Sequence, residues 1–203
     1  MIKAIVFDFG GVVLSNDWDP ENKNFVNDLK KNFGISPEDM KRAWGLAWPD
    51  FMKGKISEDK FWLVYLKTAG GKIDVEKAKE IYRKHQTADK GTIKIIEKLK
   101  SRYRIVALTN ISKEWLEYKK KKFDLDRYFE FIVSSCYEES SKSGEEIYKK
   151  TLERLALPAE ECLFIDDRER NILIAKKLGF KTILFRGAKE LERKLKELGI
   201  NYS

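Results

Sequence analysis

The chain has 203 residues, 42% hydrophobic and 36% charged, with 41 Lys and Arg against 33 Asp and Glu and a formal net charge of +8. That length suits one sizeable domain, or a compact domain carrying a smaller insertion. The basic excess is spread along the chain without an RNA-stacking motif or zinc-finger spacing, which points to anionic small substrates and away from nucleic acid.

The two cysteines, Cys136 and Cys162, make neither a disulfide framework nor a metal-ligand spacing and read as reduced thiols. The first apolar run meets Asp8 too early for a signal peptide, and no run reaches the roughly 18 apolar residues of a membrane span. The expectation is a soluble, cytoplasmic protein without a membrane partner.

The first element, residues 2–7, is continuously apolar in the way of a strand buried on both faces, and Asp8 closes it ahead of Phe9, Gly10 and Gly11. Residues 15–90 hold no strand pattern. They read as helices at 21–33, 37–53, 58–68 and 75–85, separated by Gly34, Gly54 and the Gly70-Gly71 pair, with Ser36 and Ser57 at capping positions. This stretch carries Trp18, Trp44, Trp48 and Trp62, expected mainly as bundle core, with Trp44 or Trp48 placed to line a lid over a substrate.

Beyond it, strand patterns at 104–108, 129–134, 161–165 and 181–185 alternate with helices at 92–100, 113–121, 145–155, 171–178 and 189–198. The four lysines at 119–122 read as a solvated helix end. Strands alternating with helices give an α/β fold: a Rossmann-like parallel five-stranded sheet covered by helices. A helical-bundle cap, residues 15–90, is inserted into a core of residues 1–14 and 91–203.

Open parallel sheets bind ligands beyond the carboxyl ends of their strands. Read in order, those ends carry Asp8, then Thr109-Asn110, then Lys142 after a serine-rich stretch, then Asp166-Asp167 with Asn171 beyond. Singly, each has an ordinary use in a turn, a cap or a surface. Together they form a chemical set. Carboxylates from two strands can hold Mg²⁺, which takes one or two carboxylates together with waters and phosphate oxygens. A hydroxyl, backbone N–H groups and an ammonium can bind the rest of a phosphate. A carboxylate not committed to metal can attack phosphorus, and Gly10 and Gly11 let the backbone approach a ligand closely.

On these residues the sequence resembles the haloacid dehalogenase superfamily, mostly Mg²⁺-dependent phosphatases. The stretch 8–13, DFGGVV, resembles the first motif, D-x-D-G-[TV]. IVALTN ending at Asn110 resembles the second. Lys142 ahead of Ile147-Tyr148 resembles the third, and LFIDDRERNILIAKKLGF the fourth. The subgroup it is most similar to contains glucose-1-phosphate phosphatase-like proteins and the phosphatase domain of soluble epoxide hydrolases.

The resemblance implies Asp8 as nucleophile and metal ligand, Gly10 giving its carbonyl to Mg²⁺, and Asp167 and Asp166 completing the metal site. It implies Thr109 on the phosphoryl group, Lys142 neutralising charge and orienting Asp8, and Gly11 and Asn110 binding substrate. The implied partner is a small phosphorylated metabolite; the oligomeric state, monomer or homodimer, is left open.

Two departures from the pattern stand out. Ser143 replaces the proline after the third-motif lysine, which implies a looser loop. Gly10 replaces the aspartate that in this family protonates the leaving group and activates water. Such help is typically worth about 10²–10⁴-fold. Asp17, Asp19 and His85 are the candidates to supply the proton, although His85 reads first as an exposed helix end. Otherwise the substrate has a good leaving group, or turnover is slow. The alternatives to a phosphatase are a catalytically poor phosphate- or nucleotide-binding regulator and a metal-independent carbon–halogen hydrolase of the same fold.

Overall fold

The computed structural model describes residues 1–16 and 22–201. Asp17, Trp18 and Asp19 lie outside the described residues.

Strand β1 (Ala4–Phe7) leads into four helices, α1 (Lys23–Phe33), α2 (Pro37–Phe51), α3 (Glu58–Thr68) and α4 (Val75–Lys84). Helix α5 (Lys90–Leu99) then begins the alternating part. There β2 (Arg104–Thr109), α6 (Lys113–Phe123), β3 (Ile132–Ser134), α7 (Ser135–Glu138) and α8 (Glu146–Leu155) are followed by β4 (Cys162–Asp166), α9 (Glu169–Lys177), β5 (Lys181–Leu184) and α10 (Ala188–Glu197). The five strands form one parallel sheet in the order β3-β2-β1-β4-β5.

Alternation along each strand feeds two cores. Ile5, Phe7, Ile105, Ala107, Leu163 and Ile165 join the larger one, which continues into α1–α4, α5, α6 and α10. Ala4, Val6, Val106, Leu108 and Phe164 join the smaller one beneath α8 and α9. Both faces are dry, which is why the strands read as unbroken apolar runs.

Capping fixes most helix starts. Asn22, Ser36, Ser57, Asp74, Asp89 and Ser112 each accept a hydrogen bond from a first-turn backbone N–H. The two chain segments that join α1–α4 to the sheet lie side by side. Asp89 N–H donates to Val13 O at 2.9 Å, Ser15 N–H to Thr87 O at 2.9 Å, and Thr87 N–H to Ser15 Oγ at 3.0 Å.

Two expectations need correction. The third strand is shorter than 129–134, because Leu125–Arg127 forms a 3-10 turn and Phe129 N–H is taken by Leu125 O at 3.2 Å. The lysine run is not wholly solvated. Lys119 is fully buried, and Lys122 Nζ donates to Arg83 O at 3.0 Å and Gln86 O at 2.9 Å, tying α6 to the end of α4.

Candidate active site

The chain runs from β1 outward to β2 and β3, then returns to the other side of β1 for β4, so the strand order reverses between β1 and β4. Such a reversal leaves a crevice at the carboxyl edge. Asp8, just past β1, and Asp166, the last residue of β4, stand on either side of it, and Asp8 N–H donates to Ile165 O at 2.9 Å.

Lys142 reaches into this crevice. Its Nζ lies 2.6 Å from Asp8 Oδ1 and 2.8 Å from Asp166 Oδ2, and all three side chains are almost fully buried. The loop that delivers it is well tied without a proline. Lys142 N–H donates to Asn110 Oδ1 at 3.0 Å, Tyr148 OH donates to Lys142 O at 3.1 Å, and Ser141 Oγ lies 2.7 Å from Ser143 Oγ. The looser loop expected from Ser143 is therefore not found.

Asp166 is fully engaged. Besides Lys142, it accepts from Arg168 N–H at 2.8 Å and from Asn171 Nδ2 at 3.0 Å to each oxygen. It thus shapes the turn into α9 in the usual manner of aspartate two residues ahead of a backbone donor. Asp167 differs, since its buried Oδ1 has no hydrogen-bond partner among the described residues. A buried polar oxygen without a partner is costly, and a cation is one way to satisfy it. Oxygens of Asp8, Asp166 and Asp167 all lie within 4.8 Å of one another. This donor set of hard oxygens fits Mg²⁺.

Gly11 explains how Asp167 comes so near. A Cβ there would lie 2.5 Å from Asp167 Oδ2, and φ of +78° is a left-handed value that suits glycine. A Cβ on Gly10 would lie 3.2 Å from Asn16 Oδ1, so the Asn16 amide lies against the position where the family carries its second aspartate.

Charges follow this packing. Burial pushes Asp8 up to about 7 from the ordinary 3.8, against the pull of Lys142, with Asp166 and Asp167 adding to the rise. Burial and the neighbouring Asp166 likewise raise Asp167, partly offset by Arg168. Burial works against the charge of Asp166 too, but Lys142, Arg168 N–H and Asn171 hold its carboxyl below the ordinary value. Burial also opposes the charge of Lys142, yet Asp166 and Asp8 hold the ammonium above its ordinary value. Both shifts favour the charged forms of Lys142 and Asp166.

A cavity of about 400 Å³ opens from this cluster. Asp8, Gly10, Thr109, Asn110, Lys142 and Asn171 line its inner end, and Trp44, Trp48, Pro49 and Met52 of the α2 region face them. Asn16, Ser143, Arg168 and Arg170 complete the wall. Thr109, Asn110, Lys142 and Asp8 are thus brought together from three separated segments. Gly11 is not among the lining residues; its place is behind Asp167. His85 is also elsewhere. Its Nε2 lies 2.9 Å from Asp28 Oδ2 and its side chain is only 13% exposed, which corrects the picture of an exposed helix end.

Sequence reasoning missed Asn16, Pro49, Met52, Arg168 and Arg170. The arginines flank Glu169 within the fourth motif, where adjacency was a usable signal. Asn16 lies outside any motif spacing and becomes visible only when the turn of residues 9–14 folds back, with Leu14 N–H on Phe9 O at 2.8 Å.

The comparisons agree with this geometry. The sequence model of the haloacid dehalogenase-like hydrolases matches residues 2–179. Flavin mononucleotide hydrolase 1 of Arabidopsis thaliana is 28% identical over 181 residues, spanning 88% of this chain and 73% of that protein. D-ribitol-5-phosphate phosphatase of Bacteroides thetaiotaomicron is 27% identical over 193 residues, spanning 90% of this chain and 91% of the other.

Among solved structures, an HAD family enzyme of Bacteroides thetaiotaomicron superposes with a TM-score of 0.81 at 20% identity, covering 96% of this chain and 98% of its own. Its complex with magnesium and inorganic phosphate gives 0.77 at 21% identity, covering 92% and 96%. A match over almost the whole alternating sheet, together with an aspartate-lysine-aspartate cluster at the strand reversal, places this chain among the haloacid dehalogenase-like hydrolases.

Proposed function

We propose that the protein is a Mg²⁺-dependent phosphomonoesterase acting on a small metabolite through an aspartyl-phosphate on Asp8. The observation that carries this reading is the Lys142 bridge between Asp8 and Asp166, beside an Asp167 oxygen that lacks a partner among the described residues. The relative solved with magnesium and inorganic phosphate supports it.

Asp8, Asp167 and the Gly10 carbonyl would hold the ion, with Asp166 keeping Lys142 and the α9 turn in place. When bound, Mg²⁺ supplies positive charge for the phosphoryl oxygens and aligns them for in-line attack. Lys142 orients Asp8 through Oδ1, and Phe9 N–H donates to the same oxygen at 2.7 Å. Asp8 attacks phosphorus, forming a new P–O bond as the ester P–O bond breaks, and the leaving oxygen departs with its electron pair. Thr109 and Asn110 bind the transferring group. Water then attacks the phosphoaspartate at phosphorus, releasing inorganic phosphate and restoring the carboxylate.

Nothing at position 10 can protonate the leaving oxygen, so esters with acidic leaving groups react best. Helices α1–α4 serve as the cap, with Trp44 and Trp48 as its wall over the substrate. The test is release of p-nitrophenol from its phosphate. Activity should need Mg²⁺, vanish in EDTA and fall at least about 10³-fold in Asp8→Asn, in line with loss of a nucleophile. Turnover by Asp8→Asn near the wild-type rate refutes the mechanism.

A further inference from the structure

The inner end of the cavity uses its charge internally: Lys142 bridges Asp8 and Asp166, and a divalent cation held there would balance the remaining carboxylate charge with Asp167. The outer wall differs. Arg168 and Arg170 are exposed, line the same cavity, and make no side-chain hydrogen bond or ion pair with any described residue. Arg104, by contrast, pairs with Glu130 at 2.6 Å, and Lys177 with Glu145 at 2.7 Å.

The two arginines also flank the start of α9, whose first turn receives no side-chain cap. Free backbone N–H groups there add to the attraction for an anion. A further sign of an occupant is Asn171 in the third position of that helix. It is 1% exposed and lines the cavity, and its buried Oδ1 has no hydrogen-bond partner among the described residues. Opposite stands the stacked pair Trp44 and Trp48, ring centroids 5.0 Å apart, an apolar wall for the carbon skeleton.

We infer that the substrate's leaving group carries a second anionic group, carboxylate or phosphate, which docks on Arg168 and Arg170 while the ester phosphate sits at Asp8. This rests on the phosphomonoesterase reading and adds a substrate class to it. Guanidinium groups suit both anions, because their paired N–H donors match planar carboxylate and phosphate edges.

The experiment compares matched esters. Glycerol 3-phosphate and 3-phosphoglycerate differ in one carboxylate; fructose 6-phosphate and fructose 1,6-bisphosphate differ in one phosphate. Wild-type kcat/KM should favour the doubly anionic member of at least one pair by about tenfold or more, mainly through KM. Which pair responds identifies the anion. In Arg168→Gln/Arg170→Gln the preference should collapse to within about twofold. Calorimetry with Asp8→Asn and Mg²⁺ reads the same preference without turnover.

Equal affinity within both pairs, or a preference that survives in the double arginine variant, overturns the inference. If wild type hydrolyses p-nitrophenyl phosphate but shows no charge preference, only this inference fails. If it neither hydrolyses nor binds any of these esters, the phosphatase reading fails with it.

Discussion

Two adjacent glycines near Asp8 do different work. Gly11 lies against Asp167, where a methyl group would lie 2.5 Å from Oδ2 on a backbone with φ of +78°. Gly11→Ala therefore carries two costs. A non-glycine residue held at positive φ costs on the order of 1 kcal/mol. The contact also forces the Asp167 carboxylate out of its present position. Calorimetric Mg²⁺ affinity should fall at least about tenfold, more than the loss of stability alone explains. An unchanged affinity would separate Asp167 from the metal.

Gly10 has room to spare apart from Asn16, whose Oδ1 would stand 3.2 Å from an added Cβ. An aspartate there must move that amide aside. Gly10→Asp combined with Asn16→Ala should raise turnover of an alkyl phosphate relative to p-nitrophenyl phosphate by at least about tenfold, since positioned acid–base help is worth about 10²–10⁴. The ratio is the readout, because the aryl leaving group needs no proton. A flat ratio in a folded variant means that proton delivery does not limit the rate.

At the scale of elements, the helical insertion and the sheet share one aromatic core. Trp115 belongs to α6, yet it stacks on Tyr82 of α4 at 3.8 Å and meets Phe51 of α2 at 4.9 Å and Phe61 of α3 at 5.3 Å. Its indole N–H donates to Glu58 Oε1 at 2.9 Å, and Arg83 Nη2 lies 2.7 Å from Oε2 of the same carboxylate. One buried glutamate on α3 thus binds α4 and α6 together.

Trp115→Ala should cost about 3–5 kcal/mol, as truncation of a buried tryptophan does. Glu58→Ala should cost about 1.5–3 kcal/mol, the range for hydrogen bonds to a charged group, because Arg83 is one-third exposed and recovers some solvation. Urea unfolding monitored by tryptophan fluorescence measures both. A Trp115→Ala loss under about 1 kcal/mol would mean that the two layers are not coupled through it.

This interlock also marks where sequence reasoning stops. Strands and helices were legible, since each strand is a dry apolar run and most helices begin at a capping side chain. Asp8, Thr109, Asn110 and Lys142 were legible because a parallel sheet puts successive strand ends on one edge. Trp115 and buried Lys119 were not, because a polar-looking helix of mixed charges gives no sign that another layer will cover it. Asn16 was hidden for a similar reason: its neighbours are set by a turn and not by periodicity.

Across the whole molecule, folding and ion binding should be linked. The fold places three carboxylates within 4.8 Å of one another and supplies one ammonium between two of them. Bringing like charges together in a buried place opposes folding, and a divalent cation reverses the sign of that contribution. A ligand at about 100 times its Kd adds about 2.7 kcal/mol to the folded state. For a chain of this size about 1 kcal/mol shifts Tm by roughly 2–4 °C, so saturating Mg²⁺ should raise Tm by about 5–10 °C over EDTA at matched ionic strength.

Asp167→Asn makes the argument two-sided. Its Oδ1 has no hydrogen bond to lose, and the substitution removes one of the crowded charges. In EDTA the variant should therefore melt at or above the wild-type temperature, whereas in Mg²⁺ it should melt below, with most of the metal-dependent shift gone. General damage to packing would lower Tm in both buffers. A crossing of the two orders is expected only if this residue is costly to the empty fold and useful to the loaded one, and parallel losses in both buffers would remove it from the metal site.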